Sequence, residues 1–153
     1  MSEVTAPQAG GGHNPEAAVR RLAWVSRIPV RWGDMDAYGH VNNTVYFRFY
    51  EQARVEWLEH IGYRVHPEAE GAPVIINAEC TFLRPVTYPA TVEVKLFLGE
   101  PGRSSVMTWY ELCCVGEDPL YATGYAKIVW FNPRTGQSVP IPDALREKLI
   151  HPE

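Results

Sequence analysis

The chain has 153 residues, 46% of them hydrophobic and 21% charged, which is the composition of one folded globular domain and excludes wholesale disorder. Its apolar stretches are only a few residues long, so a membrane-spanning helix is excluded. The net charge of −4 argues against the basic face with which a general nucleic-acid binder displaces counterions, but it allows a local basic patch for one small anion.

Residues 1–22 carry Gly, Pro and Ala without periodicity and read as a flexible tail ahead of a single domain over 23–153. Gly10-Gly11-Gly12 is no phosphate loop, because no Gly-Lys-Ser/Thr follows it. From Ile28 the chain becomes periodic. Ile28, Val30 and Trp32 alternate with Pro29, Arg31 and Gly33, which predicts a short strand at a sheet edge. Gly33 to His40 is rich in turn formers and reads as a loop. Asn42 or Asn43 then caps a helix whose apolar face is Tyr46, Phe49, Tyr50, Ala53, Trp57 and Ile61, with Gly62 as its stop. About 18 residues make this helix about 27 Å long.

Period-two alternation follows in four stretches: Val74–Phe82, Val92–Leu98, Val106–Leu112 and Ala122–Trp130. Short turns at 84–89, 99–102 and 116–119 predict that these strands are antiparallel neighbours in sequence order. Asp143 to Leu149 is a short terminal helix. A sheet with one apolar face must cover it, and one long helix lying across a curled sheet does so, giving an α+β domain. The open edge of such a sheet favours pairing with a second copy.

Cys113 and Cys114 are adjacent, so a bond between them would be strained, and Cys80 lies far off in sequence. Free thiols in a reducing compartment are expected. No basic segment precedes an apolar run at the N-terminus, so no secretory signal is expected and the cytoplasm is the expected location. The five histidines show no metal-ligand spacing, and no Gly-x-Ser-x-Gly is present for a serine-based acyl hydrolase. Trp57, Trp109 and Trp130 fall on periodic faces and read as core.

Chemistry points to the loop before the long helix. A helix N-terminus offers free backbone N–H groups and a partial positive charge, suited to an anion or a polarised carbonyl oxygen. Asp36 stands a few residues ahead of it. A carboxylate there could attack a carbonyl or take a proton from water while the N–H groups hold the oxyanion. A thioester suits such sparse equipment, because its thiolate leaves without a strong general acid. By spacing alone, an aspartate before a helix is usually a cap or turn former.

Trp32-Gly33-Asp34-Met35-Asp36-Ala37-Tyr38-Gly39-His40-Val41-Asn42-Asn43-Thr44-Val45-Tyr46-Phe47, continued by Glu51-Gln52-Ala53-Arg54-Val55-Glu56-Trp57-Leu58, resembles the signature of hotdog-fold thioesterases of the 4-hydroxybenzoyl-CoA thioesterase branch. Phe82-Leu83-Arg84-Pro85 and Tyr88-Pro89 resemble the family's second-strand turn, so the likeness covers about residues 27–135. It implies a hotdog fold, an antiparallel sheet wrapped round one long helix, and hydrolysis of an acyl-coenzyme A thioester by a homodimer or homotetramer without metal or cofactor. The acyl chain is then expected between protomers, against apolar residues of the helix.

By the same resemblance Asp36 is the catalytic acid and Asp34 shapes the loop. Asn43 offers its backbone N–H to the thioester oxygen, with Tyr38, Asn42 and Tyr46 as substrate contacts. His40-Val41-Asn42-Asn43 is also similar to the plastid acyl-carrier-protein thioesterases, which place an asparagine two residues after the aspartate and a histidine two later. Here Tyr38 and His40 hold those positions, so His40 is either a general base or a plain loop residue. Arg103 and Arg84 align with basic residues that contact coenzyme A phosphates, or are solvated arginines. Glu51 resembles a helical glutamate used by some hotdog enzymes, or is a charge partner on the helix. Hydrolysis of acyl-carrier-protein thioesters, a hotdog dehydratase and a non-catalytic acyl-CoA-binding module are the rival readings. The acyl group, and the choice between a covalent anhydride and direct water attack, are left open.

Overall fold

A computed structural model describes residues 19–64, 66 and 68–152 of the chain. Most of the expected tail, residues 1–18, lies outside the described residues. In chain order the elements are β1 (Arg21–Pro29), a 3-10 turn (Trp32–Asp34), α1 (Asn43–His60), β2 (Ala72–Phe82), β3 (Thr91–Leu98), β4 (Ser105–Cys114), β5 (Leu120–Asn132), β6 (Gln137–Ser138) and α2 (Asp143–Ile150). All strand pairs are antiparallel, in the order β1-β3-β4-β5-β2, with β6 beside the end of β5.

The long helix forms where the apolar spacing places it. The Asn42 side chain caps it by accepting the Thr44 N–H, and Gly62, at φ +76°, takes the left-handed conformation that ends it. Tyr46, Phe49, Tyr50, Ala53 and Trp57 are buried on its sheet side. Opposite them stand Val92, Val94, Leu96 and Leu98 of β3 and Val106, Thr108, Tyr110 and Leu112 of β4. This is the hotdog arrangement, an α+β fold with one long helix on an antiparallel sheet. α1 sits chiefly over β1 and β3 and only lightly over β2. No helix among the described residues is long and apolar enough to cross a membrane.

Three expectations are corrected. The first strand runs from Arg21 to Pro29 and not from Ile28 to Trp32, so Arg21 and Leu22, read as tail, belong to the sheet. Its inward side chains are the small Ala23 and Ser26, and a register shift between Leu22 and Trp24 interrupts the alternation, so no hydrophobic period marks it. Trp32 instead opens the 3-10 turn and is exposed.

Second, β2 and β3 are not neighbours. β2 pairs with β5 at one edge, β3 pairs with β1 near the other, and residues 83–90 cross between them below the start of α1. Burial of Val86 and the bond from the Val41 N–H to its carbonyl (2.8 Å) anchor that crossing. Third, a register shift between Ile75 and Asn77 turns the first half of β2 over. Ile75 therefore faces the helix, and Ile76 is 59% exposed.

Candidate active site

Between β1 and α1 the chain folds into a small, fully bonded loop. Asp34 is 4% exposed; its carboxylate accepts the Arg31 N–H at 2.8 Å and the Arg31 guanidinium at 3.0 Å, while its carbonyl accepts the Asn42 N–H at 2.9 Å. Asp34 thus ties the end of the 3-10 turn to the helix cap. Met35 and Val41 bridge as in a miniature hairpin, with Asp36 N–H donating to the His40 carbonyl (2.9 Å) and Gly39 N–H to the Asp36 carbonyl (3.0 Å). Asp36 is held at the mouth of this hairpin.

Both oxygens of Asp36 are oriented. Oδ1 accepts the Tyr38 N–H at 2.9 Å, and Oδ2 accepts the Asn42 carboxamide N–H at 3.1 Å. Asn42 Oδ1 in turn accepts the Thr44 N–H (3.0 Å) and the Thr44 hydroxyl (2.6 Å). With two donors on its oxygen, the Asn42 amide can only turn its nitrogen to Asp36. The cap of the helix and the orientation of the carboxylate are therefore one device. Next along the chain, the Asn43 N–H has no acceptor among the described residues and lies at the positive end of the helix.

Asp36, Tyr38, His40, Asn43, Tyr46 and Arg84 line one cavity of about 390 Å³. Val41, Phe82, Leu83 and Pro85 complete its wall. Tyr46 is buried beneath it, its ring edge-on to Phe82 at 4.9 Å, and burial raises its phenol above the ordinary value, so it is neutral at pH 7. His40 is exposed, and among the described residues its imidazole makes no hydrogen bond with Asp36.

Not every expected residue gathers here. Asn42 adjoins the cavity but its polar atoms are engaged by the cap and by Asp36, which makes it a positioning residue in this geometry. Glu51 lies two turns down the helix, paired with Arg48 at 2.9 Å. Arg103 stands at the opposite end of the sheet, where its carbonyl accepts the Ile141 N–H and the Arg146 guanidinium of α2. Thr44, to which the motif assigns no role, completes the cap through its hydroxyl; its signal is a hydroxyl residue two places after a capping asparagine.

An antiparallel sheet wrapped on one long helix, with an oriented carboxylate and the open Asn43 N–H lining one cavity, is an arrangement suited to a thioester hydrolase of hotdog type. The chain belongs to the thioesterase-like superfamily, whose family model matches residues 30–149. Among solved structures it is similar to the PA2801 protein of Pseudomonas aeruginosa, at 42% identity and TM-score 0.78, covering 83% of this chain and 98% of that one. It also resembles the BH1999 gentisyl-coenzyme A thioesterase, at 25% identity and TM-score 0.70 over 80% of this chain and 98% of the other. In sequence it is 26% identical to the long-chain acyl-CoA thioesterase FadM of Escherichia coli, over 81% of this chain and 95% of that protein.

Proposed function

We propose that the protein hydrolyses an acyl-coenzyme A thioester to the free acid and coenzyme A. The observation that carries this reading is the Asp36 carboxylate fixed beside the open Asn43 N–H at the mouth of one cavity. The thioester oxygen accepts the Asn43 N–H, where the helix dipole favours the charge that develops on it. Asp36 then either attacks the carbonyl carbon, giving an anhydride that water opens, or removes a proton from the attacking water. In both routes the carbon–sulfur bond breaks and the thiolate leaves with the electron pair. Tyr38, Tyr46 and Arg84 border the bound ester, and His40 lines the same cavity as a candidate proton carrier.

The same reading takes the chain as one hotdog domain that works as a homo-oligomer in the cytoplasm. Cys80, Cys113 and Cys114 are free, as a reducing compartment keeps them. β2 is a long outer strand with Val74, Ile75, Ile76 and Phe82 exposed, and a second copy paired along it covers them.

Free-thiol release from acyl-CoA esters, running from acetyl to palmitoyl with benzoyl and phenylacetyl included, tests the activity. Release from at least one ester is expected. Release only from acyl-carrier-protein esters would replace coenzyme A with a carrier protein, and binding without release from either would leave a non-catalytic module.

A further inference from the structure

A second cavity, of about 270 Å³, lies along the seam between α1 and β2. Its floor is the small pair Ala78 and Ala126, and its wall is Phe47 and Tyr50 of the helix. Tyr50 lies flat there, stacked on Tyr110 at 4.6 Å, because the neighbouring residue is Gly124: a Cβ on it would come within 2.6 Å of the Tyr50 ring and 2.8 Å of the Glu79 carbonyl. The sequence thus keeps a trough open where larger side chains would fill it.

Three charged side chains border the trough. Arg48 and Glu51 neutralise each other at 2.9 Å. Arg54, half-buried, has no carboxylate partner among the described residues. Its guanidinium donates to the Tyr110 hydroxyl at 3.0 Å and lies 5.7 Å from the centre of that ring. The Thr108 hydroxyl donates to the Ala126 carbonyl (2.9 Å), so Tyr110 gives its proton to Thr108 (2.7 Å) and turns a lone pair to Arg54. Burial holds the Tyr110 phenol above its ordinary value, so it supplies no negative charge. Arg54 is thus a half-buried cation, oriented by one hydrogen bond at the edge of a cavity, with no carboxylate beside it among the described residues, and an anion brought in from outside completes it.

We propose that the trough receives the far end of the acyl group and that Arg54 binds a carboxylate there, making thioesters of medium-length dicarboxylic acids the preferred substrates. The proposal rests on the acyl-CoA reading above. Asn43 and Arg54 are eleven residues apart on α1, about 16 Å along its axis. A helical side chain leans back toward the N-terminus by about one turn, which leaves roughly 11 Å along the axis between Asn43 and the guanidinium, and the thioester oxygen stands one hydrogen bond of about 3 Å further out. A short diacid does not span that gap, and a neutral chain leaves Arg54 unpaired. A narrow trough with aromatic walls and a single arginine also fits a methylene chain ending in one carboxylate better than it fits the multiply charged phosphates of coenzyme A.

The test is the ratio of kcat/KM for suberoyl-CoA to that for octanoyl-CoA, esters of equal chain length, in wild type, Arg54→Met and Arg54→Lys, with free coenzyme A as inhibitor. Taken as a ratio on one preparation, it is insensitive to partial loss of folded protein. Wild type is expected to favour suberoyl-CoA by about tenfold or more, the worth of one charge-assisted hydrogen bond. Arg54→Met abolishes that preference and Arg54→Lys keeps part of it. Equal use of both esters by wild type, or an unchanged ratio in Arg54→Met, overturns the proposal while leaving the hydrolase reading intact. An unchanged ratio with weakened coenzyme A inhibition would assign the anion to the coenzyme's phosphates instead. Thiol release from no acyl-CoA ester at all would sink the acyl-CoA reading and this proposal together.

Discussion

On one flank of α1, β1 and β3 press against the helix, and Val92, Val94, Leu96 and Leu98 are completely buried. On the other flank β2 stands off: Ile75 and Phe82 are partly open, Ile76 more so, and two cavities lie along the seam. β3 on the first flank and β2 on the second are both rich in alternating apolar residues. They differ in that β3 buries its inward apolar surface within the chain, each fully buried side chain contributing about 1.5–3 kcal/mol, whereas β2 leaves surface for something else to cover. The most tightly packed strand and the candidate site thus lie on different sides of one helix.

The separation is open to direct test. Truncating the closed flank should cost most: Trp57→Ala removes a fully buried ring and is expected to destabilise the fold by about 3–5 kcal/mol, read from denaturant midpoints at constant slope. Asn42→Ala stands at the junction. Loss of the cap costs about 0.5–2 kcal/mol. Because the same amide orients Asp36, kcat should fall while KM changes little, a split that a purely structural role would not produce.

On the open flank, Ile76→Lys leaves the core untouched and should change the unfolding midpoint least, yet convert the proposed homo-oligomer to monomer in size-exclusion chromatography. A monomer that unfolds as a destabilised core variant does would contradict the division.

The smallest effect concerns Glu56. Burial opposes its charge, but the nearby Ser26 hydroxyl, the Trp24 indole (3.0 Å) and the Gln52 amide (3.1 Å) outweigh it and hold the carboxyl below its ordinary value. A depressed folded value stabilises the fold at pH above the unfolded value of about 4.3, and that gain is lost as the pH falls through the folded value. Glu56→Gln should thus lower Tm slightly at pH 7, with the gap closing in acid.

Much of this was legible in the sequence. The helix from its asparagine cap to Gly62, and the spans of β2 to β5, follow from side-chain period and turn formers. Period reports which face a residue occupies and says nothing of which strand lies beside it. The pairing of β2 with β5, and with it the distance of Arg103 from the loop, was therefore hidden. β1 escaped because its inward residues are small, and Ile75 and Ile76 exchanged faces through a bulge that no residue type announces. The placing of Asp36 before the helix was legible from the motif. Its anchoring by Asn42 and Thr44 was not, since that depends on which way one amide turns.

The proposed hydrolysis depends on the Asp36 carboxylate, and the rate of thiol release by Asp36→Asn on the best ester tests it most directly. The change preserves shape while removing the charge, and kcat is expected to fall by about 10²–10⁴-fold with the fold unaltered. A folded Asp36→Asn variant retaining kcat within a factor of a few would contradict it, and catalysis would have to be sought in another side chain of the same cavity.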